Sequence, residues 1–127
     1  MAGKRVPRTH AGGNWTKSRY FSFIRGLLRR GFTRYPVKHA VKKAASRQKK
    51  GSRRYEYQCS ECKKWWPNSQ VEVDHIEPAG ALKEYEDLPG FVARLYCEPD
   101  NLQCLCKQCH LKKTNDERTK RAKEKAE

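Results

Sequence analysis

From Trp15 to Arg30 the apolar residues Phe21, Ile24, Leu27 and Leu28 recur at helical spacing. Asn14 or Thr16 can cap the start of this helix, and Gly31 stands just past its end. The other face carries Arg19, Arg25, Arg29 and Arg30, so one side can pack while the other meets phosphate. Trp15, Tyr20, Phe21 and Phe23 could stack on bases, but core packing is the expected job. Pro36 suits the first position of a second helix, expected to run to about Lys50. Its apolar side is thin (Val37, Ala40, Val41, Ala44, Ala45), and Lys38, Lys42, Lys43, Arg47, Lys49 and Lys50 make it strongly basic. Such a helix either follows a nucleic-acid backbone or is a solvated spacer. Gly51-Ser52 ends it and marks the expected domain boundary.

Beyond that point shorter, strand-like runs appear. Tyr55 to Cys59 reads as a short strand, and Val71-Glu72-Val73 as a second that leads into Asp74-His75 and is broken by Pro78 and Gly80. Residues 81–96 carry Leu82, Tyr85, Leu88, Phe91, Val92 and Leu95, a helical cover interrupted at Pro89-Gly90. After a turn at Glu98-Pro99-Asp100, Leu102 to Leu105 is a strand, and a helix follows through Lys113. Residues 116–127 are helical by composition, with Asp116–Lys120 and Glu117–Arg121 as four-apart pairs. Residues 1–14, with Gly3, Pro7, Gly12 and Gly13 among basic side chains, read as mobile in the absence of a partner. The expected class is α+β. A basic, largely helical extension spans residues 1–54, a small domain spans 55–115, and a charged helical tail spans 116–127.

Composition sharpens this picture. With 36% apolar and 34% charged residues in 127, the core must be small, and small cores usually need a staple. The net charge of +15 is unevenly spread. The first 54 residues hold 17 Lys and Arg and no acid, so the rest of the chain balances at −2. A polyanion is the expected partner of such an arm, the plainer alternative being a soluble tail that binds RNA or anionic surfaces nonspecifically. The basic start has no apolar run behind it, so neither a signal peptide nor a membrane span is expected. A cytoplasmic setting then keeps the six cysteines reduced and available to metal.

Cys59-Ser60-Glu61-Cys62 and Cys106-Lys107-Gln108-Cys109 are two knuckles of equal spacing. Four thiolates can close a tetrahedral shell around a structural zinc, which would pin the first strand to the last helix. Neither a redox dithiol nor a pair of disulfides explains two pairs of matched spacing. Cys97 and Cys104 lack that spacing and read as buried thiols, although one of them could replace a ligand.

The remaining chemistry lies in Val73-Asp74-His75-Ile76-Glu77-Pro78 and in Asn101 to His110. A carboxylate and an imidazole can hold one hard divalent cation, which leaves a second imidazole to take a proton. Val73-Asp74-His75-Ile76-x-Pro78, followed by Asn101-Leu102-x-x-Leu105-Cys106-x-x-Cys109-His110-x-x-Lys113-Thr114, resembles the HNH endonuclease family over about residues 55–115. With the Trp15–Pro36 segment included, the pattern looks like small free-standing HNH proteins of phages and prophages. The resemblance implies a ββα-metal fold of two strands and a helix. It implies that His75 is the general base, that Asp74 and His110 ligate the cation, and that Asn101 orients His75. DNA would be the substrate, with phage or host DNA-processing proteins as further partners and the host cytoplasm as the setting. Some members place a second histidine four residues after the helix histidine, where this chain has Thr114. Two protein ligands plus waters suit Mg²⁺ or Mn²⁺, while His110 also admits Ni²⁺ or Zn²⁺.

Two rival readings fit part of this pattern. A zinc-ribbon module with a basic arm can bind DNA or RNA without catalysis, but it has no need of Asp74, His75 and His110. A zinc nucleobase deaminase would use His75-Ile76-Glu77 with Cys106 and Cys109. Leu105 stands where that motif expects proline, and Pro78 and Gly80 would break its helix.

Overall fold

A computed structural model describes residues 5–126. Two compact units form, and neither is continuous in sequence. The described part of Met1–Tyr35 groups with Glu77–Cys97, and Pro36–Ile76 groups with the described part of Glu98–Glu127.

In the first unit, helix α1 (Lys17–Gly31) starts at Thr16, whose Oγ1 accepts the backbone N–H of Arg19 at 3.2 Å. Asn14, the other candidate cap, donates its side chain to the Ala11 carbonyl at 2.8 Å. Reciprocal backbone bonds between His10 and Trp15, at 3.0 and 3.1 Å, close a tight turn there. The stretch expected to be mobile is therefore structured from His10 onward, while residues 1–4 lie outside the described residues. Gly31 does not stop the helix, since its φ of −63° is helical and the chain runs on into a 3-10 turn at Phe32–Arg34. Its small size answers a different need. A Cβ at Gly31 would lie 2.5 Å from the Tyr96 hydroxyl, which donates to the Leu28 carbonyl.

Phe21, Phe32, Ala79, Leu82, Phe91, Leu95 and Cys97 are the buried apolar residues of this unit. Leu27 and Phe23, both expected to pack, stay 49% and 48% exposed. Phe23 is covered by the Trp15 ring, 5.0 Å away between centroids. The helical cover expected over residues 81–96 is shorter than its apolar pattern. Only Leu88–Leu95 is α-helical, behind a 3-10 turn at Tyr85–Asp87. Pro89-Gly90 opens this helix rather than interrupting it, because a first-turn proline lacks only an N–H that the helix could not bond.

In the second unit a helix spans Pro36–Ala44 and stops well short of Lys50. Residues Ser46–Gln48 instead form strand β1, antiparallel to β2 (Tyr55–Gln58), and β3 (Trp65–Pro67) pairs with the other edge of β2. The reason lies across the strands. Arg47 faces Glu56, with Nε 2.7 Å from Oε1, and its guanidinium lies 3.7 Å from the Trp65 ring centroid. Gly51, at φ +76°, takes the left-handed position in the connecting turn, which Lys49 N–H closes onto the Arg54 carbonyl at 2.8 Å. Gly51-Ser52 is thus a hairpin turn inside one unit and not a junction between domains.

Strand β4 (Val71–His75) pairs antiparallel with β5 (Leu102–Cys106), in a register from Val71 opposite Cys106 to His75 opposite Leu102. A single helix, Lys107–Ala126, follows β5 directly and covers both the expected helix and the described part of the tail. Glu117, expected opposite Arg121, meets Lys113 at 2.5 Å. The two strands and this last helix, which packs on both, make the mixed α+β scaffold on which the candidate sites stand. No helix among the described residues is long and apolar enough to cross a membrane.

Candidate metal centres

The first knuckle follows β2. Cys59 accepts the Cys62 N–H on its sulfur at 3.5 Å, and Lys63, with φ 64°, turns the chain back so that Cys59 N–H reaches the Lys64 carbonyl at 3.0 Å. The second knuckle bridges the end of β5 and the first turn of the last helix, where Cys109 N–H meets the Cys106 sulfur at 3.5 Å. Ser60 N–H binds the Cys104 carbonyl at 2.8 Å and so ties the first knuckle to β5. The result is a cluster of Cys59, Cys62, Cys106 and Cys109 with all four sulfurs within 4.8 Å of one another. The Cys62 and Cys106 sulfurs are 4.0 Å apart. Sulfurs bound to zinc at about 2.3 Å stand about 3.8 Å apart in a tetrahedron, so the donor set and its spacing fit. These four residues could hold a metal ion such as zinc. No disulfide links any of the six cysteines.

Cys59 and Cys106 are buried, and Leu105 and Trp66 pack against them. The Trp66 Nε1 is buried without a hydrogen-bond partner, which leaves a donor over in the wall of a centre that would be anionic as a four-thiolate zinc site. Burial pushes the Cys59 thiol up, but the backbone N–H groups of Cys106, Cys62 and Glu61 outweigh it and bring it down to about 6. Cys109 is pushed up to about 12, first by its bond to Cys106, then by burial and by Cys59. Cys104 lies on β5 with its thiol pushed up by burial, and Cys97 lies in the other unit, so neither belongs to the cluster.

A second group stands on the same strand pair. Strand alternation puts Glu72 and Asp74 on one face of β4. The last helix lays His110 against that face, with Nδ1 2.9 Å from Glu72 Oε2 and Nε2 3.4 Å from Asp74 Oδ1. One turn on, Lys113 Nζ lies 2.9 Å from Asp74 Oδ2, donates to the His75 carbonyl at 2.8 Å, and pairs with Glu117 Oε1. Gln103, opposite Asp74 in the register, adds a bond to Oδ2 at 3.3 Å. Asp74 is only 13% exposed and His110 35%. Burial alone would lower the Lys113 pKa, but Glu117 and Asp74 raise it above its usual 10.5.

The register brings the other two expected residues to the same end of the ribbon. His75 closes β4, and the next residue, Ile76, donates its N–H to the Asn101 carbonyl at 2.8 Å. Asp74 and His75, as successive strand residues, project to opposite faces of the ribbon. Glu72, Gln103 and Lys113 had no expected role. Period-two alternation marks Glu72 as Asp74's neighbour, and the three-residue step from His110 marks Lys113, but only the register selects Gln103. The eight basic residues expected to meet DNA divide between the units. Arg19, Arg25, Arg29 and Arg30 lie on α1, while Lys38, Lys42, Lys43 and Arg47 lie in the second unit. Arg19 stacks on Trp15 and Lys42 on Tyr57, at 5.3 and 5.1 Å to the ring centroids. Comparison with protein-family models, with curated proteins and with solved structures finds no match.

Proposed function

We propose that this protein is an HNH-type endonuclease that hydrolyses DNA phosphodiester bonds with the help of a divalent cation. One observation carries the reading: a strand–strand–helix unit holds Asp74 Oδ1 and His110 Nε2 3.4 Å apart on one face. Two ligands at neighbouring positions of a six-coordinate ion with bonds of about 2.1 Å stand about 3 Å apart, so the pair fits a shared cation. Mg²⁺ or Mn²⁺ suits a carboxylate with one imidazole, and Ni²⁺ or Zn²⁺ also suits the imidazole. When bound, the cation would polarise the phosphate and stabilise the departing oxygen.

The chain's own residues do the rest. His75 closes the strand that carries Asp74, so a phosphodiester reaching past the end of the ribbon would lie within range of both. His75 accepts the proton of the attacking water, a task suited to a neutral imidazole near pH 7. Asn101, joined to the strand end through its carbonyl, holds that end in place. The closed sulfur centre keeps the second knuckle, and His110 beside it, in register.

His75→Ala should lower cleavage of supercoiled plasmid in Mg²⁺ or Mn²⁺ by about 10²–10⁴-fold, with folding and DNA affinity retained. Undiminished cleavage by that variant would remove His75 from the mechanism. Among the basic residues, Lys38→Gln with Lys43→Gln should shallow the salt dependence of DNA binding by roughly one unit of log–log slope for each phosphate no longer neutralised. An unchanged slope in a binding titration would take α-helical Lys38 and Lys43 out of the interface.

One observation favours a second reading, a zinc-ribbon module that binds nucleic acid without cleaving it. Lys113 already neutralises Asp74, as in a purely structural ion pair. That reading expects no strand breaks with any cation. A deaminase centre would need Cys106 and Cys109 to share a zinc with His75, whereas both sit in the four-sulfur cluster.

A further inference from the structure

His110 has two ring nitrogens and a carboxylate at each. The Nδ1 contact with Glu72 Oε2, at 2.9 Å, has ordinary hydrogen-bond length. The Nε2 contact with Asp74 Oδ1, at 3.4 Å, is too long for a strong bond. An imidazole that ligates a cation through Nε2 is neutral and carries its one N–H on Nδ1, and Nδ1 is the nitrogen that lies beside Glu72.

Asp74 is held in a matching way. Its Oδ2 takes Lys113 at 2.9 Å and Gln103 at 3.3 Å, so Oδ1 is the oxygen presented to His110. Each member of the pair is gripped by its far atom and offers its near one. Among the described residues the partner of His110 Nδ1 is Glu72, which alternation along β4 puts on the face of Asp74, two residues away.

We propose that Glu72 is a positioning residue for the cation site: by accepting the Nδ1–H of His110 it fixes the tautomer that presents Nε2 beside Asp74. This inference rests on the reading of Asp74 and His110 as cation ligands. Glu72 touches neither the cation nor the substrate and acts only through the imidazole. Supports of this kind are commonly worth 10–100-fold in metal affinity.

The test uses the full-length, zinc-loaded protein and two variants. Nitrogen–proton correlation spectra of the imidazoles read the His110 tautomer, and calorimetric titration with Mn²⁺ reads affinity. The native protein should show Nδ1–H. Glu72→Ala should move the proton toward Nε2, where Asp74 can accept it, and weaken Mn²⁺ binding about 10–100-fold, with zinc content and melting unchanged. Glu72→Gln keeps an acceptor oxygen without the charge, so it should retain the tautomer and most of the affinity. A native tautomer and native affinity in Glu72→Ala would overturn the proposal, as would a Glu72→Gln protein as weak as Glu72→Ala, which would make charge the cause. The underlying site fails by a different sign: native protein whose His110 and Asp74 resonances are not broadened by Mn²⁺ has no cation there, and both readings fall together. Broadening that is lost in His110→Ala but untouched by Glu72→Ala sinks the role of Glu72 alone.

Discussion

The four-sulfur cluster and the Asp74–His110 pair share one scaffold, with Cys106 at one end of the β4–β5 ribbon, Asp74 near the other, and Cys109 and His110 adjacent on the helix that follows. Their surroundings differ in kind. The sulfurs form a complete set of four, two of them buried, with apolar walls from Leu105 and Trp66. The pair is incomplete as a ligand set, partly open to solvent, and ringed by charged groups from Glu72, Lys113 and Glu117. A closed shell gives a metal no further chemistry to do and puts its binding energy into the fold. An open pair contributes little to the fold and, on the reading proposed above, would leave room for a substrate oxygen. Adjacent residues, Cys109 and His110, belong to different groups because successive helical positions point about 100° apart.

The largest expected effect falls on the closed centre. Cys59→Ser should release zinc and abolish the cooperative melting of the second unit, because zinc coupling of about 10 kcal/mol or more rivals the whole stability of a small domain. Metal analysis with circular dichroism would check it, and a folded, zinc-free variant would erase the distinction between the two sites. At the open pair, His110→Ala should leave melting and zinc content near native while weakening Mn²⁺ binding at least about tenfold. A variant that loses its fold instead would make this pair structural too.

The smallest effect concerns Lys113. Because its pKa is raised in the folded state, its contribution is fully present below the unfolded value of 10.5 and is lost as pH rises through the raised one. Lys113→Met should cost about 1 kcal/mol near pH 8, and the gap from native protein should shrink as denaturation is repeated at increasingly alkaline pH. The same substitution removes a positive charge from Asp74, so cation affinity should rise rather than fall if the carboxylate stays in place. A penalty that does not vary with pH would mean that packing of the lysine stem, and not its charge, is what matters.

The matched knuckles were legible because ligand spacing within a knuckle is local, and the structure gathers all four sulfurs as the spacing requires. The strands at Tyr55 and Leu102 and the helix from Lys17 were legible for the same reason, since period and caps act over a few residues. The end of the second helix was not. Residues 46–48 sit in a lysine-rich, helix-forming context, yet Arg47 finds Glu56 and Trp65 on strands that the chain reaches only after Gly51. Pro89-Gly90 misled in the other direction, because a proline reads as a break until one sees that it occupies the first turn.

The order of residues alone was enough to mark the first helix, the strands at Tyr55, Val71 and Leu102, the two matched knuckles and the place of the positive charge. It took the folded arrangement to gather residues 77–97 into a core with Phe21 and Phe32, and to close Glu72, Gln103 and Lys113 around Asp74 and His110. The physical reason is one of range. Helical period, knuckle spacing and charge are properties of neighbours in sequence, whereas register and core membership depend on which surfaces, distant along the chain, remove each other from water.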